Sequence, residues 1–248
     1  MSPALKKNLL DLAMTFCVPL LILSPNLFGT GWGVAALLGG DQGGHIRAYL
    51  LSALLPVVYT LWTFWLRRET SPIARFGVVT SLLGAGLAFW FVDGFWYAFK
   101  TSVHLYLHGL LFLGSALVGS GLLRSLLQGA FAGGSVAHRR AQEEALNHPR
   151  MARALVLGSV LFGGAKLLFG SVNMAVQLHL VTASFGTAAF NGQVVLASAV
   201  MYLPGLLIGG LVAAPAMLLA ERTVKAIYGQ DVSLLRPEGL ARQLAPAA

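Results

Sequence analysis

The feature that most constrains this chain is a long segment without formal charge. From Leu167 to Ala220 the sequence has no Asp, Glu, Lys or Arg. A helix needs about 20 mainly apolar residues to cross the ~30 Å hydrocarbon core of a bilayer, so the segment is too long for one crossing. It therefore predicts two membrane-spanning helices joined by a turn near Gly186 to Gly192.

The composition of the whole chain also indicates a membrane protein. Of 248 residues, 56% are hydrophobic and 10% are charged, against about 25% charged in ordinary soluble domains. So few charges cannot cover the surface of a soluble domain, which excludes a soluble enzyme and a disordered protein. The single cysteine, Cys17, excludes a disulfide scaffold, and we expect it to be a buried apolar residue. No phosphate-binding, serine-hydrolase or zinc-protease motif is present.

The apolar segments predict an all-α, polytopic integral membrane protein that forms one domain, a six-helix bundle. The predicted spans are residues 9–28, 48–66, 76–92, 101–123, 153–180 and 194–220. A loop at 124–150 and a tail at 221–248 complete the chain. Lys6-Lys7 and the apolar run after them also resemble a signal peptide, but no small-x-small cleavage site follows closely, so a retained helix is favoured.

The net charge of +8 would also be typical of a nucleic-acid-binding protein, but the basic residues follow the loops. With the N-terminus inside, only Arg47 and Lys100 lie on the outer side, and Lys166 lies within a span. The cytoplasmic side holds the rest: Lys6, Lys7, Arg67, Arg68, Arg75, Arg124, Arg139, Arg140, Arg150, Arg153, Arg222, Lys225, Arg236 and Arg242. This bias predicts cytoplasmic N- and C-termini. No basic patch has interleaved aromatic residues, so the predicted partner is the lipid bilayer and not nucleic acid.

The positions of the aromatic residues and of the long loop agree with the predicted topology. Belts of rings at the membrane surface are predicted from Trp90, Phe91, Phe95, Trp96 and Tyr97 on the outer side and Trp62 and Trp65 on the inner side. In the loop, Gly133-Gly134-Ser135 can start a helix and Asn147-His148-Pro149 can end it, which predicts a solvated surface helix.

Small residues four apart predict close helix packing. They are Ser115 with Gly119, Ser159 with Gly163, and Gly205 with Gly209.

Polar residues inside a membrane are candidates for function because their burial in lipid is costly. Two predicted spans each carry a stripe of polar and small residues along one face, which we expect to line the bundle interior. One stripe is Lys100, Thr101, His104, His108, Ser115 and Gly119; the other is Ser159, Gly163, Lys166, Gly170, Asn173 and Gln177.

The two stripes together predict a ligand-binding cavity that opens to the outside. Lys166 would lie ~20 Å along its helix from Arg153, near the bilayer midplane and at the floor of the cavity. Asn173 and Gln177 would lie above it. His104, His108 and Lys100 would complete the site in the outer half of the neighbouring span. Lys166 has no acidic residue at its depth, which leaves two interpretations open. It is structural, and extends to the surface or hydrogen-bonds within the bundle; or it is functional, as a cation that meets an anionic ligand or lipid headgroup or as a proton relay that is neutral in one state.

The histidines leave a metal or haem site open as an alternative. His104 and His108 are spaced i, i+4 and share one helix face, while His45 and His179 could complete the set from the same outer side. Carboxylates that would orient ligating histidines are sparse near them, so no cofactor is favoured.

Four motifs in the first half of the chain resemble a known family. In order, they are Leu10-Asp11 leading to Pro19-Leu20-Leu21-Ile22-Leu23; Leu55-Pro56-Val57-Val58-Tyr59 leading to Arg67-Arg68; Ser71-Pro72-Ile73-Ala74; and Asp93-Gly94-Phe95-Trp96-Tyr97-Ala98-Phe99-Lys100. Over residues 9–125 this order resembles bacterial inner-membrane proteins related to intracellular septation protein A. The resemblance implies an inner-membrane protein linked to the cell envelope, and no established reaction.

Three functional classes follow from these observations. The favoured one is a non-enzymatic membrane protein, transporter-like or associated with the cell envelope. The second is a metal- or haem-binding membrane protein centred on His104 and His108. The third is an accessory subunit, which would pack against a larger membrane complex or against copies of itself through its small-residue faces.

Overall fold

The computed structural model of the protein describes residues 3–67, 72–119, 121–130, 136–234 and 237–244. Within these ranges all regular secondary structure is helical. The helices are α1 (Pro3–Leu12), α2 (Val18–Leu23), α3 (Val34–Leu37), α4 (Gln42–Arg67), α5 (Pro72–Ala88), α6 (Gly94–Leu117), α7 (Leu122–Ala130), α8 (Val136–Asn147), α9 (Pro149–Leu180), α10 (Ala188–Tyr228) and α11 (Pro237–Leu244). A π-helical turn, Ala13–Cys17, joins α1 to α2, and a 3₁₀ turn, Leu27–Gly29, follows α2.

In the described part of the chain, three helical segments are long and apolar enough to cross a membrane. They are Gln42–Leu66 of α4, all of α9, and Ala188–Ile208 of α10. The number rises to four if α6 and α7, which are bent by 100° at their junction, form one broken span. The segments Leu9–Leu23 and Val78–Ala88 are apolar but shorter. The chain is thus an all-helical membrane protein.

The segment 9–28 is helical only as far as Leu23, so it is shorter than the span that its apolar residues predict, and it contains the π-helical turn Ala13–Cys17. Pro19 has no backbone N–H, and its ring would clash with the carbonyl of the preceding turn. The π-turn before Pro19 is wider than an α-helical turn, and in it the backbone N–H of Val18 donates to the carbonyl oxygen of Ala13, five residues earlier. The helix then ends at Leu23, because Ser24 has an extended backbone. Cys17 in this turn is exposed, contrary to the prediction that it is buried.

The predicted turn within the uncharged segment lies between α9 and α10. The left-handed backbone of Gly186 (φ 83°) is a conformation that favours glycine. The side-chain oxygen of Gln193 accepts hydrogen bonds from the backbone N–H groups of Thr182 and Ala183, at 2.9 and 2.8 Å. The side-chain amide of Asn191 donates to the carbonyl of His45 at 3.1 Å and ties α10 to α4.

The chain forms two compact units. Unit 1 consists of Met1–Thr70, Ala74–His104 and Ser171–Pro204, and unit 2 of Ser71–Ile73, Leu105–Gly170 and Gly205–Ala248. The core of unit 1 is rich in aromatic rings and consists of Leu23, Tyr49, Ala88, Tyr97, Val181, Phe190, Val194 and Ala197.

The core of unit 2 is aliphatic. It consists of Ala141, Ala145, Leu146, Met151, Leu155, Ala220, Val224, Val232, Leu234 and Leu240. Three of these belong to α8, which is therefore not a fully solvated surface helix: Ala145 and Leu146 have no exposed surface. The side chain of Gln142 donates to the carbonyl of Leu234 at 3.0 Å and fixes the C-terminal segment on α8.

Small residues bring α6 and α9 together inside unit 2. A Cβ atom at Gly163 would lie 2.9 Å from the carbonyl oxygen of Gly109, and one at Gly109 would lie 3.0 Å from that of Gly163. The hydroxyl oxygens of Ser115 and Ser159 accept hydrogen bonds from the N–H groups of Leu122 and Leu123, at 2.8 and 3.3 Å. The start of α7 is thus held by side chains of α6 and α9.

Some predicted features lie outside the described residues. These are the helix start at Gly133-Gly134-Ser135 and the basic residues Arg68 and Arg236.

Candidate functional site

Lys100 is the most enclosed charged side chain of unit 1 among the described residues, with 3% of its surface exposed. It lies in the second turn of α6, and its ammonium donates a 2.5 Å hydrogen bond to the carbonyl oxygen of Trp90. That carbonyl belongs to the turn between α5 and α6. The segment before α6 therefore folds back so that its backbone accepts from the lysine.

Three aromatic rings surround the ammonium group of Lys100. The ring centroids of Tyr49, Tyr97 and Phe185 lie 5.2, 5.3 and 5.7 Å from Nζ. These distances fall within the ~6 Å range of cation–π attraction. The buried ring of Phe190 packs edge-on against all three of these rings. We call the three rings around Nζ the aromatic cage.

A cavity of about 250 Å³ lies beside the cage in unit 1. Three helices build its wall, with residues of α4, α5 and α6. The lining residues are Tyr49, Ala53, Gly84, Leu87, Ala88, Lys100, Thr101 and His104. The wall is apolar except for one face of α6, where the predicted stripe of Lys100, Thr101 and His104 lies.

Asn173 holds α6 in place next to Lys100. Its side-chain amide donates to the hydroxyl of Ser102 at 2.9 Å and to the carbonyl of Thr101 at 3.4 Å. Ser102 in turn donates to the carbonyl of Ala98 at 2.9 Å. Asn173, which the sequence predicts as a ligand-binding residue, thus joins α9 to α6 within unit 1.

Buried polar atoms without a hydrogen-bond partner also occur in unit 1. Among the described residues, they include Oε1 of Gln177, Oδ1 of Asn191 and Nδ1 of His45. Gln177 is 5% exposed, so it lies in the interior as its stripe predicts.

Lys166 and His108 belong to unit 2 and not to the unit that contains Lys100 and His104. Lys166 is partly exposed, and its ammonium lies 5.6 Å from the ring centroid of Phe162. Of the predicted ligand-binding residues, the structure brings Lys100 and His104 to one cavity and places Asn173 and Gln177 in the same unit.

The four histidines of the metal hypothesis lie in different surroundings. His104 lines the cavity, His45 follows the start of α4, and His179 is exposed at the end of α9. Across the residues that the structure describes, no group of three or more His, Cys, Asp or Glu side chains could hold a metal ion. The metal or haem site stays a prediction from the sequence.

Asp41 caps the N-terminus of α4, the helix that carries Tyr49. Its carboxylate accepts a 2.9 Å hydrogen bond from the backbone N–H of Gly44. This bond, with the positive charge of Arg47, lowers the pKa of Asp41 below its usual value of 3.8. The capping group is therefore ionised at neutral pH.

The sequence did not identify the rings of the cage. The prediction that Tyr97 belongs to a surface belt is wrong, because Tyr97 is 2% exposed and packs in the core of unit 1, whereas Trp90 and Trp96 of the same group are exposed. One local signal was present, since Tyr97 and Lys100 are three residues apart and share a helix face. Tyr49 and Phe185 come from distant parts of the chain, and no local pattern could have paired them with Lys100.

Comparison with known proteins gives no relative for this chain. No family model, no curated protein and no solved structure matches it.

Proposed function

We propose that this chain is a non-enzymatic, transporter-like protein of a bacterial inner membrane, which holds a small ligand in the cavity beside Lys100. The observation that carries the proposal is the cavity itself, which residues of three helices line and which one buried lysine borders. Pockets of this kind, mostly apolar with a few convergent polar groups, are typical of small-molecule sites. A charged group within a membrane protein is a candidate for contact with substrate.

The proposal includes six crossings with both termini in the cytoplasm. Two observations support it. Lys and Arg concentrate in the predicted cytoplasmic loops, and two shorter apolar segments occur beside the longer candidate spans. In that topology, the turn between α9 and α10 faces outside and the aliphatic core of unit 2 faces the cytoplasm.

Single cysteines test this topology. In a Cys17→Ser background, Ser184→Cys should react in intact cells with a maleimide that cannot cross membranes. Asp231→Cys should react only after the cells are opened. The reverse pattern, or labelling of both positions from outside, would contradict the proposed orientation.

A matched pair of glycine substitutions tests the cavity. Gly84 and Gly86 lie on α5, and a Cβ at either position meets no atom within 4 Å. Only Gly84 lines the cavity. Gly84→Leu should therefore fill the cavity, and Gly86→Leu is its control.

The readout is thermal unfolding of the purified protein in detergent with a set of small solutes: monocarboxylates, their amides, amino acids, amines and sugars. At least one solute should raise the melting temperature of the wild type and of Gly86→Leu, but not of Gly84→Leu. If every solute that stabilises the wild type also stabilises Gly84→Leu equally, the cavity is not the binding site.

A further inference from the structure

The charge of Lys100 is incompletely compensated by the protein. Its ammonium has three N–H donors, and among the described residues one of them is accepted, by the carbonyl of Trp90. No carboxylate of the described chain forms an ion pair with it, and the aromatic cage compensates the charge only in part. Buried charges in proteins are usually paired, because an unpaired one loses its hydration without replacement. An anion in the cavity would supply the missing partner.

The rest of the lining restricts what that anion can be. Ala53, Leu87 and Ala88, which have only apolar side chains, also line the cavity. An inorganic anion would leave these apolar side chains in contact with water. A ligand with a short hydrocarbon part would instead bury them, at ~25 cal/mol for each Å² removed from water.

The volume and the charge of the site indicate the size and the charge of the part of the ligand that the cavity holds. A volume of about 250 Å³ equals that of roughly eight water molecules at ~30 Å³ each. One lysine balances one negative charge, and a second negative charge would be desolvated without a partner.

We propose that the cavity binds a small organic monoanion, a carboxylate with a short apolar chain, whose carboxylate pairs with Lys100 and whose chain lies along Ala53, Leu87 and Ala88. The inference rests on the proposed function, since it names the ligand class of the same cavity. Tyr49 and His104 also line the cavity.

Binding of butyrate, acetate, butyramide, butylamine and inorganic phosphate to the purified wild-type protein at neutral pH tests the ligand class. Butyrate should bind about tenfold more tightly than butyramide, which has the same shape without the charge. It should also bind about tenfold more tightly than acetate, which lacks two CH₂ groups. If butyramide, butylamine or phosphate binds as tightly as butyrate, the proposed ligand class is wrong.

Lys100→Gln tests the residue. Glutamine keeps a donor for the Trp90 carbonyl but removes the charge, so butyrate affinity should fall about tenfold or more. Lys166→Gln is the matched control, with the same change at the other lysine within a candidate span, and it should bind butyrate like the wild type. Equal losses in both variants would contradict the assignment. Because the ligand comparison uses the wild type, it decides the ligand class even if Lys100→Gln does not fold.

The failure of this inference is distinguishable from failure of the proposed function. If an amine or a sugar stabilises the wild type and Gly84→Leu abolishes that effect, the cavity is a binding site but its ligand is not a carboxylate. If butyrate binds equally well to the wild type and to Gly84→Leu, the carboxylate proposal is wrong. The proposed function is wrong as well if every other solute that stabilises the wild type also stabilises Gly84→Leu equally.

Discussion

The surroundings of Lys100 and Lys166 differ more than their positions in the sequence suggest. Lys100 is almost fully enclosed, with three rings and a backbone carbonyl around its ammonium. Lys166 is partly exposed beside the single ring of Phe162. A partly exposed lysine can extend its ammonium to a polar surface, whereas an enclosed one cannot. Enclosure by neighbouring helices, and not depth along one helix, therefore distinguishes a candidate binding lysine.

The largest expected effect is a loss of stability when the ring that supports the aromatic cage around Lys100 is removed. Phe190→Ala should destabilise the protein by about 3–5 kcal/mol, because the ring has no exposed surface and supports all three rings of the cage. This corresponds to a drop in melting temperature of roughly 10 °C. Phe162→Ala beside Lys166 is the control and should cost less, because Phe162 is only partly buried. Equal losses in thermal unfolding would remove the contrast between the two regions.

The next effect is specific to the region of Lys166. Gly163→Leu should destabilise the protein by about 1–3 kcal/mol, because its side chain would clash with the Gly109 carbonyl and with Leu113. Gly164→Leu, where a Cβ meets no atom within 4 Å, should leave the melting temperature nearly unchanged. If both variants unfold at the same temperature, backbone contact between α6 and α9 does not position Lys166.

A smaller effect concerns two buried amides on α9. Asn173→Leu should cost about 0.6–2 kcal/mol, because it removes the hydrogen bonds that hold α6 beside Lys100. Gln177→Leu should raise the melting temperature, because the Oε1 atom that it removes is buried without a partner among the described residues. A loss of stability in Gln177→Leu that equals the loss in Asn173→Leu would show that Gln177 has a structural partner in the protein.

The smallest effect is a dependence on pH at the start of α4. The pKa of Asp41 is lowered by folding, so its contribution to stability is full above its usual pKa of 3.8 and is lost as pH falls through the lower folded value. Asp41→Asn keeps a capping side chain but removes the titrating group. The variant should therefore lose less stability than the wild type between pH 5 and pH 3 in thermal unfolding. The difference should equal the pH dependence that one titrating carboxyl contributes. The same acid sensitivity in both proteins would assign it to other carboxylates.

Periodicity predicted the parts of the fold that depend on one helix at a time. The stripe of Lys100, Thr101 and His104 lies on one cavity wall, and the predicted end of the fifth span at 180 matches the end of α9 at Leu180. These features follow from the 3.6-residue repeat and from the turn residues beside it.

The features that the sequence missed depend on contacts between distant segments. Spacing along α6 cannot show that Tyr49 of α4 and Phe185 of the α9–α10 turn meet at Lys100. Nor can it show that Ala145 and Leu146 of α8 pack in a core, because a short helix with many charged residues reads as solvated. The π-turn at Ala13–Cys17 has a local cause, since Pro19 lies inside the predicted span at 9–28.

The length of α10 has a consequence for how the protein responds to its solvent. At 1.5 Å per residue, the 41 residues of this helix extend about 60 Å, twice the ~30 Å thickness of a hydrocarbon core. A bilayer that covers its apolar first half leaves Ala220 and Val224 outside, so the aliphatic core around them is stabilised by exclusion from water, as in a soluble protein. Urea weakens the hydrophobic stabilisation of side chains that are excluded from water. It should therefore loosen the core of unit 2 while lipid still shields the helices that cross the membrane.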